Sequence, residues 1–163
     1  MIEQHPLQIS DEVTAACEES KPIVALETTI ISHGMPYPRN LEVAMDGMSL
    51  LRSAGVTPAA IAIIRGRIVV GASEAGLEHL AKADDVRKIS RRDIAVAVAD
   101  GADGATTVAA TMILARAAGI EVFATGGIGG VHRGASGSFD ISADLPEFAQ
   151  TPVIVVSAGA KAI

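Results

Sequence analysis

The sequence predicts an α/β fold, a mostly parallel layered sheet with helices on both faces. Three observations carry this. The apolar half of the chain is dominated by Ala, Val and Ile, with 16 Gly and only 2% aromatic residues, which suits closely packed layers. Apolar runs of strand length alternate with helical patterns, as in parallel sheets with crossover helices. Three of those runs are followed at once by a polar residue or a glycine loop, which is where layered sheets present ligand-binding groups. The length of 163 residues suits a single α/β domain spanning 1–163.

Taken in order, Ser10 followed by Asp11 and Glu12 predicts a helix start, with acids at the positive end of the helix dipole, fading by Ser20. Residues 23–26 form a short apolar strand ending on Glu27. The stretch from Ser32 to Pro38 contains Gly34, Pro36 and Pro38 and predicts irregular structure. Asn40 is placed to cap a helix carrying Leu41, Ala44, Met45, Met48 and Leu51 on one face, with Gly55 as its stop. Residues 59–64 and 68–70 flank Arg65-Gly66-Arg67 and predict a hairpin. Ser73 caps a helix to about Ala83, and 86–89 is a short strand. Residues 94–99 fit strand or helix equally. Residues 106–118 predict a helix stopped by Gly119, followed by a strand over 120–125. A glycine loop spans 126–134. Ser142 caps a short helix through Leu145 and Phe148, and 153–156 is the last strand.

Composition also narrows the function. A net charge of -6 lacks the basic excess of a general nucleic-acid surface. No apolar run is long enough to span a bilayer, and residues 1–10 lack the basic start and apolar stretch of a signal peptide. The single Cys17 has no partner for an intrachain disulfide and reads as a core residue, and the expected compartment is the cytoplasm.

Candidate chemistry gathers behind the strands. Lys161 follows 153–156, a buried strand by its apolar run, through Ser157-Ala158-Gly159-Ala160, a common way of presenting to a carbonyl carbon an amine that burial keeps neutral. Glu27, between Leu26 and a threonine pair, is placed to act as a general acid or to close the strand end as a paired carboxylate. The loop Gly126-Gly127-Ile128-Gly129-Gly130-Val131-His132-Arg133-Gly134 reads either as a phosphate cradle or as a surface loop. It is not the dinucleotide fingerprint, because His132 stands where the third glycine belongs. Asp140 and Asp144 flank a helix start; one can hold a hard divalent cation, or both can serve capping. Lys88 lies among Arg87, Arg91 and Arg92, which clamp an anion or form a solvated face. His33 sits in the proline-rich turn, and His5 and His79 read as surface residues.

These strings together resemble one family, the pseudouridine-5′-phosphate glycosidases, the indigoidine synthase A-like proteins. The similarity lies in Val24-Ala25-Leu26-Glu27, Ile30-Ile31-Ser32-His33-Gly34-Met35-Pro36, Lys88-Ile89-Ser90-Arg91-Arg92-Asp93, and Asp103-Gly104-Ala105-Thr106-Thr107-Val108. It continues through the glycine loop, Phe139-Asp140-Ile141-Ser142-Ala143-Asp144-Leu145, and Ala158-Gly159-Ala160-Lys161. The resemblance implies a lyase that splits the carbon–carbon bond between uracil and ribose 5-phosphate, reversibly, with a divalent cation, typically manganese. By position it implies Glu27 as proton donor and Lys161 as nucleophile. Lys88, Val108, Ser142, Ala143 and Asp144 match substrate-contacting positions, His132 supplies a donor in the glycine loop, and Asp140 matches the metal position. It also implies a homotrimer and a small-molecule substrate.

The chain departs from the family pattern in Thr28, where a serine is usual, and in length. Family chains continue well past the lysine, so the resemblance covers an N-terminal half. The remainder is then expected to be absent or supplied by a second chain. Two other functions stay open on sequence: a non-catalytic sugar-phosphate-binding fragment, and an imine-forming aldolase acting on another sugar phosphate.

Overall fold

The structure, a computed structural model, describes residues 7–161 of the chain. His5 lies outside the described residues. The elements in chain order are β1 (Leu7–Ile9), α1 (Asp11–Glu18), β2 (Ile23–Leu26), α2 (Thr29–His33), α3 (Arg39–Ser53), β3 (Thr57–Ile64), β4 (Arg67–Val70), α4 (Glu74–Lys82), β5 (Arg87–Ile89), α5 (Ile94–Ala99), β6 (Gly104–Thr106), α6 (Val108–Ala117), β7 (Val122–Thr125), α7 (Ala135–Ser138), α8 (Asp144–Phe148) and β8 (Ile154–Ser157). No helix among the described residues is long and apolar enough to cross a membrane.

The strands form one mixed, mostly parallel sheet in the order β1-β4-β3-β2-β7-β8, with β6 beside β3 and β5 beside β6. The hairpin between β3 and β4 is antiparallel, as is the β3–β6 pair; β2, β7 and β8 run parallel as neighbours. Arg65 (φ 49°) and Gly66 (φ 73°) take the two left-handed positions of the hairpin turn that the strand twist requires.

Register decides which side chains share a face. Ala59, Ala25, Phe123 and Val155 are cross-strand partners on β3, β2, β7 and β8. They pack with Val13 of α1 and Val108, Met112 and Ala115 of α6 into the main core. One residue along, Ala60, Leu26, Ala124 and Val156 line the opposite face. There α2, α3 and α4 cover the β3 side through Ile31, Met48, Leu77 and Leu80. The cover thins toward β8, where Ile154 is 65% and Val156 57% exposed. Among the described residues an apolar sheet face and the outer edge of β8 are therefore left open together.

Several expectations are corrected. Cys17 is exposed, because the buried face of α1 is set by Val13 and Ala16 and the next position turns outward. Ser32 and His33 belong to α2: Ser32 donates to the Leu80 carbonyl (3.0 Å) and Asn40 to the Ile31 carbonyl (2.6 Å), so contacts distant in sequence hold this turn helical. Asn40 is thus a buried brace inside α3 and does not cap it. Thr106 is the end of β6 and not the start of a helix; its buried hydroxyl donates to the Ile61 carbonyl (2.6 Å), and the cap of α6 falls on Thr107. Residues 94–99 are helical. β1, β6 and α7 are too short to leave a periodic trace in sequence.

Candidate active site

Because β2, β7 and β8 are parallel neighbours, their carboxyl ends emerge together. Each delivers one candidate group: Glu27 after β2, the glycine loop after β7 and Lys161 after β8. The groups after β2 and β8 face a common space. A cavity of about 650 Å³ is lined by Glu27, Lys161 and Lys88, by His33 of α2, and by Thr125, Gly126 and Gly127. Its walls are apolar: Leu26, Ala60 and Ala124 from the sheet, Val43, Ala44, Gly47 and Met48 from α3, and Leu77 from α4. Apolar walls around a few polar groups are the usual make-up of a small-molecule site.

Glu27 is half-buried and held at both oxygens. The Thr125 hydroxyl donates to Oε1 and the Thr29 hydroxyl to Oε2. Thr28 between them is fully buried and donates to the Ile61 carbonyl (2.8 Å), which locks the strand end to β3. The backbone at position 27 is thereby fixed from below while its carboxylate faces the cavity.

Lys161 is exposed, so it does not sit in the buried setting expected of a strand-end lysine. Its backbone is nonetheless anchored. The Lys161 N–H donates to the Ile128 carbonyl (2.9 Å) and the Ile128 N–H to the Gly159 carbonyl (3.1 Å), a parallel bridge that extends β8 along the glycine loop. A Cβ at Gly127 would lie 3.2 Å from Lys161 Cγ, so the lysine stem rests on that glycine.

The basic group around Lys88 separates. Arg87 pairs with Asp100 (2.6 Å), Arg91 grips the buried Glu147 through two bonds (2.6 and 2.7 Å), and Arg92 is exposed beside Asp93. Lys88 alone of the four lines the cavity. Among the described residues neither Lys88 nor Lys161 shares an ion pair with a carboxylate, which leaves two ammonium donors for an anionic ligand.

The remaining sequence candidates cluster elsewhere. Asp144 is buried and uses both oxygens internally, accepting from the Ala109 N–H at the start of α6 (3.0 Å) and the Gly129 N–H (2.8 Å). Ser142 accepts from the Asp144 N–H (3.2 Å), Ala143 is exposed ahead of α8, and Val108 is buried in the main core. His132 and Asp140 pair through Nδ1 and Oδ2 (2.8 Å). None of these six lines the cavity.

The glycine loop offers fewer donors than its composition suggests. The amides of Gly127, Ile128, Gly129 and His132 all donate within the protein. Its glycines answer to close packing instead: a Cβ at Gly129 would fall 2.2 Å from Ser142 Oγ. For a cation, Asp140 and His132 are the donors at hand, and no group of three or more His, Cys, Asp or Glu side chains is gathered among the described residues. That set is too small for an ion caged by protein ligands alone.

Sequence reasoning passed over the two threonine hydroxyls on Glu27 and the α3 wall. The wall had a signal. Gly47 stands in mid-helix, where glycine costs about 1 kcal/mol relative to alanine, and a Cβ there would meet nothing within 4 Å.

The family model described as indigoidine synthase A like protein covers residues 12–163. A pseudouridine-5′-phosphate glycosidase of Roseobacter denitrificans is 64% identical over 158 residues, 97% of this chain and 51% of that protein. Among solved structures, a prealnumycin C-glycosynthase in complex with ribulose 5-phosphate superposes with a TM-score of 0.88 at 45% identity, over 96% of this chain and 51% of its own. An indigoidine synthase A-like protein of Thermotoga maritima superposes at 0.83 with 36% identity, over 98% of this chain and 52% of its own. The chain thus spans about half the length of the relatives it matches.

Proposed function

From the premise that this chain belongs to the indigoidine synthase A-like family, we propose that it carries the acid and amine of a pseudouridine-5′-phosphate glycosidase. The observation that carries the reading is that Glu27 and Lys161, distant in sequence, line one cavity with Lys88. The names of the relatives add the reaction class, and the pentose phosphate named with the C-glycosynthase adds the ligand class.

The residue types suit a bond with no heteroatom leaving group. The Lys161 amine adds to C1′ of the sugar as the C1′–O4′ bond opens. The proton that the nitrogen sheds goes to O4′; the nitrogen lone pair then expels the uracil carbon, which takes a proton from Glu27, and an imine is left at C1′. Water hydrolyses the imine, releasing ribose 5-phosphate and the free amine. Lys88 binds the substrate's negative charge in this reading, and binding energy at the phosphate orients C1′ against the amine. The apolar walls exclude water from the base. Substrate contacts at Val108, Ser142, Ala143, Asp144 and His132 are part of the same proposal, with Asp144 and Ser142 also bracing the glycine loop at Gly129.

Manganese enters as part of the same proposal, held by Asp140 with water completing its shell. It would supply polarisation of substrate oxygens; no step above runs through it. A homotrimer and a cytoplasmic location are likewise proposed.

The test is uracil release from pseudouridine 5′-phosphate, with manganese, by the protein expressed from its full reading frame. Borohydride trapping with ribose 5-phosphate, read by mass spectrometry at Lys161, accompanies it. Release that Lys161→Ala abolishes, with an adduct at Lys161, supports the reading. Binding of ribose 5-phosphate without release or adduct replaces it with a sugar-phosphate-binding role, and an adduct with other aldehydes only replaces it with an aldolase.

A further inference from the structure

We propose that Thr125 is a positioning residue whose hydroxyl acts as a two-position switch between Glu27 and the glycine that seats Lys161. The proposal rests on the reading of Glu27 and Lys161 given above and adds a device that joins them.

Thr125 ends β7, directly beside the end of β2. Its Oγ1 donates to Glu27 Oε1. The same oxygen lies 3.3 Å from the Gly127 carbonyl oxygen, a second acceptor, and receives the Gly127 N–H at 3.2 Å. A hydroxyl has one hydrogen and two lone pairs, so it serves one of these acceptors at a time. While Glu27 is ionised, the carboxylate is the stronger acceptor and holds that hydrogen. When Glu27 carries the proton it is to deliver, its own O–H becomes the donor to Thr125 Oγ1. The threonine hydrogen then turns to the Gly127 carbonyl. No proton is gained or lost in this exchange; two hydrogen bonds change direction.

Gly127 is the residue on which the lysine stem rests. A Cβ there would lie 3.2 Å from Lys161 Cγ and 3.6 Å from its Cε. The charge state of the acid is therefore communicated to the seat of the amine across one side chain. Thr29, holding Glu27 Oε2, keeps the carboxyl from rotating away while its other oxygen switches partner.

The experiment is a substitution cycle read by NMR on the full protein. E27Q replaces the carboxylate with a neutral group whose N–H stands in for the protonated acid. In the parent background E27Q shifts the Gly127 amide and carbonyl resonances. In a Thr125→Val background the shift shrinks to less than about a third, and Thr125→Ser restores it, because only the hydroxyl transmits the change. An undiminished shift in Thr125→Val overturns the proposal. Should Thr125→Val not fold, Thr125→Ala takes its place under the same criterion.

Activity supplies an independent arm. Thr125→Val lowers uracil release by roughly tenfold, the scale of one lost hydrogen bond to a charged group, and by more than it lowers adduct formation at Lys161. Thr125→Ser recovers release. Equal loss of both activities in Val and Ser variants overturns the positioning role. If the parent protein neither releases uracil nor forms an adduct, the proposed reaction falls, and the NMR cycle still decides the switch.

Discussion

Gly127 lies beneath the side chain of Lys161 so closely that a single added carbon would meet the lysine stem at 3.2 Å. The contact joins the loop after β7 to the segment after β8, and the bridge between Ile128 and Ala160 holds the two in step. Gly127→Ala should therefore displace the amine by a few tenths of an ångström without unfolding the chain. We expect borohydride trapping at Lys161 to fall several-fold in Gly127→Ala and further in Gly127→Val, with the melting temperature nearly unchanged. Trapping at the parental rate in both variants would show that the glycine does not seat the lysine.

Asp144 serves two backbone donors from different elements, Ala109 at the start of α6 and Gly129 in the glycine loop. Removing the carboxylate strands two N–H groups in a buried setting, at about 1–3 kcal/mol each. Asp144→Ala should lower stability by about 2–4 kcal/mol, and Asp144→Asn, which keeps one acceptor oxygen, by less. Urea unfolding measures both. A difference below the error of the method would mean that the two bonds contribute nothing.

The Arg91–Glu147 pair predicts an acid sensitivity. Burial pushes the Glu147 carboxyl upward, but the hydrogen bonds from Arg91 and Thr151 more than reverse this, leaving it below the ordinary glutamate value. Glu147 is 1% exposed and so depends on these partners. A carboxyl with a lowered folded value stabilises the fold above the ordinary glutamate range, near 4.3, and loses that contribution as pH falls through its lower folded value. The urea midpoint should drop over that acid window. In Glu147→Gln this component of the drop should disappear, with lower stability at neutral pH. An unaltered acid profile in the variant would be the contrary outcome.

Ile154 and Val156 stand exposed on the open face of β8, the last strand in the order of the sheet among the described residues. Exchanging both for lysine should change stability by no more than about 0.5 kcal/mol per site, as for other exposed positions. It should also reduce self-association, because charged edge strands resist pairing. Sedimentation velocity reads the second effect. A large loss of stability in the full protein would instead show that further polypeptide covers this face.

Much of the fold was legible in sequence because its strongest elements carry local signals. The cap at Ser10, the Arg65-Gly66 turn, Ser73 ahead of α4 and Gly119 behind α6 are all readable from neighbouring residues, and the structure has each in that role. Where the reading failed, long-range bonds had displaced local preference. The α2 turn is helical because Leu80 holds Ser32 and Asn40 holds Ile31, and Thr106 is strand because Ile61 takes its hydroxyl. Cys17 went outward because Val13 and Ala16 already define the one buried face of a short helix.

The candidate site divides in the same way. Sequence alone determined the family and nominated Glu27, Lys88 and Lys161, since residue type and ordered strings survive without knowledge of the fold. Tertiary structure alone decided that these three share a cavity while Asp144 is engaged in bracing the glycine loop. It also revealed the hydroxyls of Thr29 and Thr125 on the acid. The physical reason is register: β2, β7 and β8 are brought side by side by pairing between segments about a hundred residues and about thirty residues apart, and no local pattern in a chain encodes which strand end will face which.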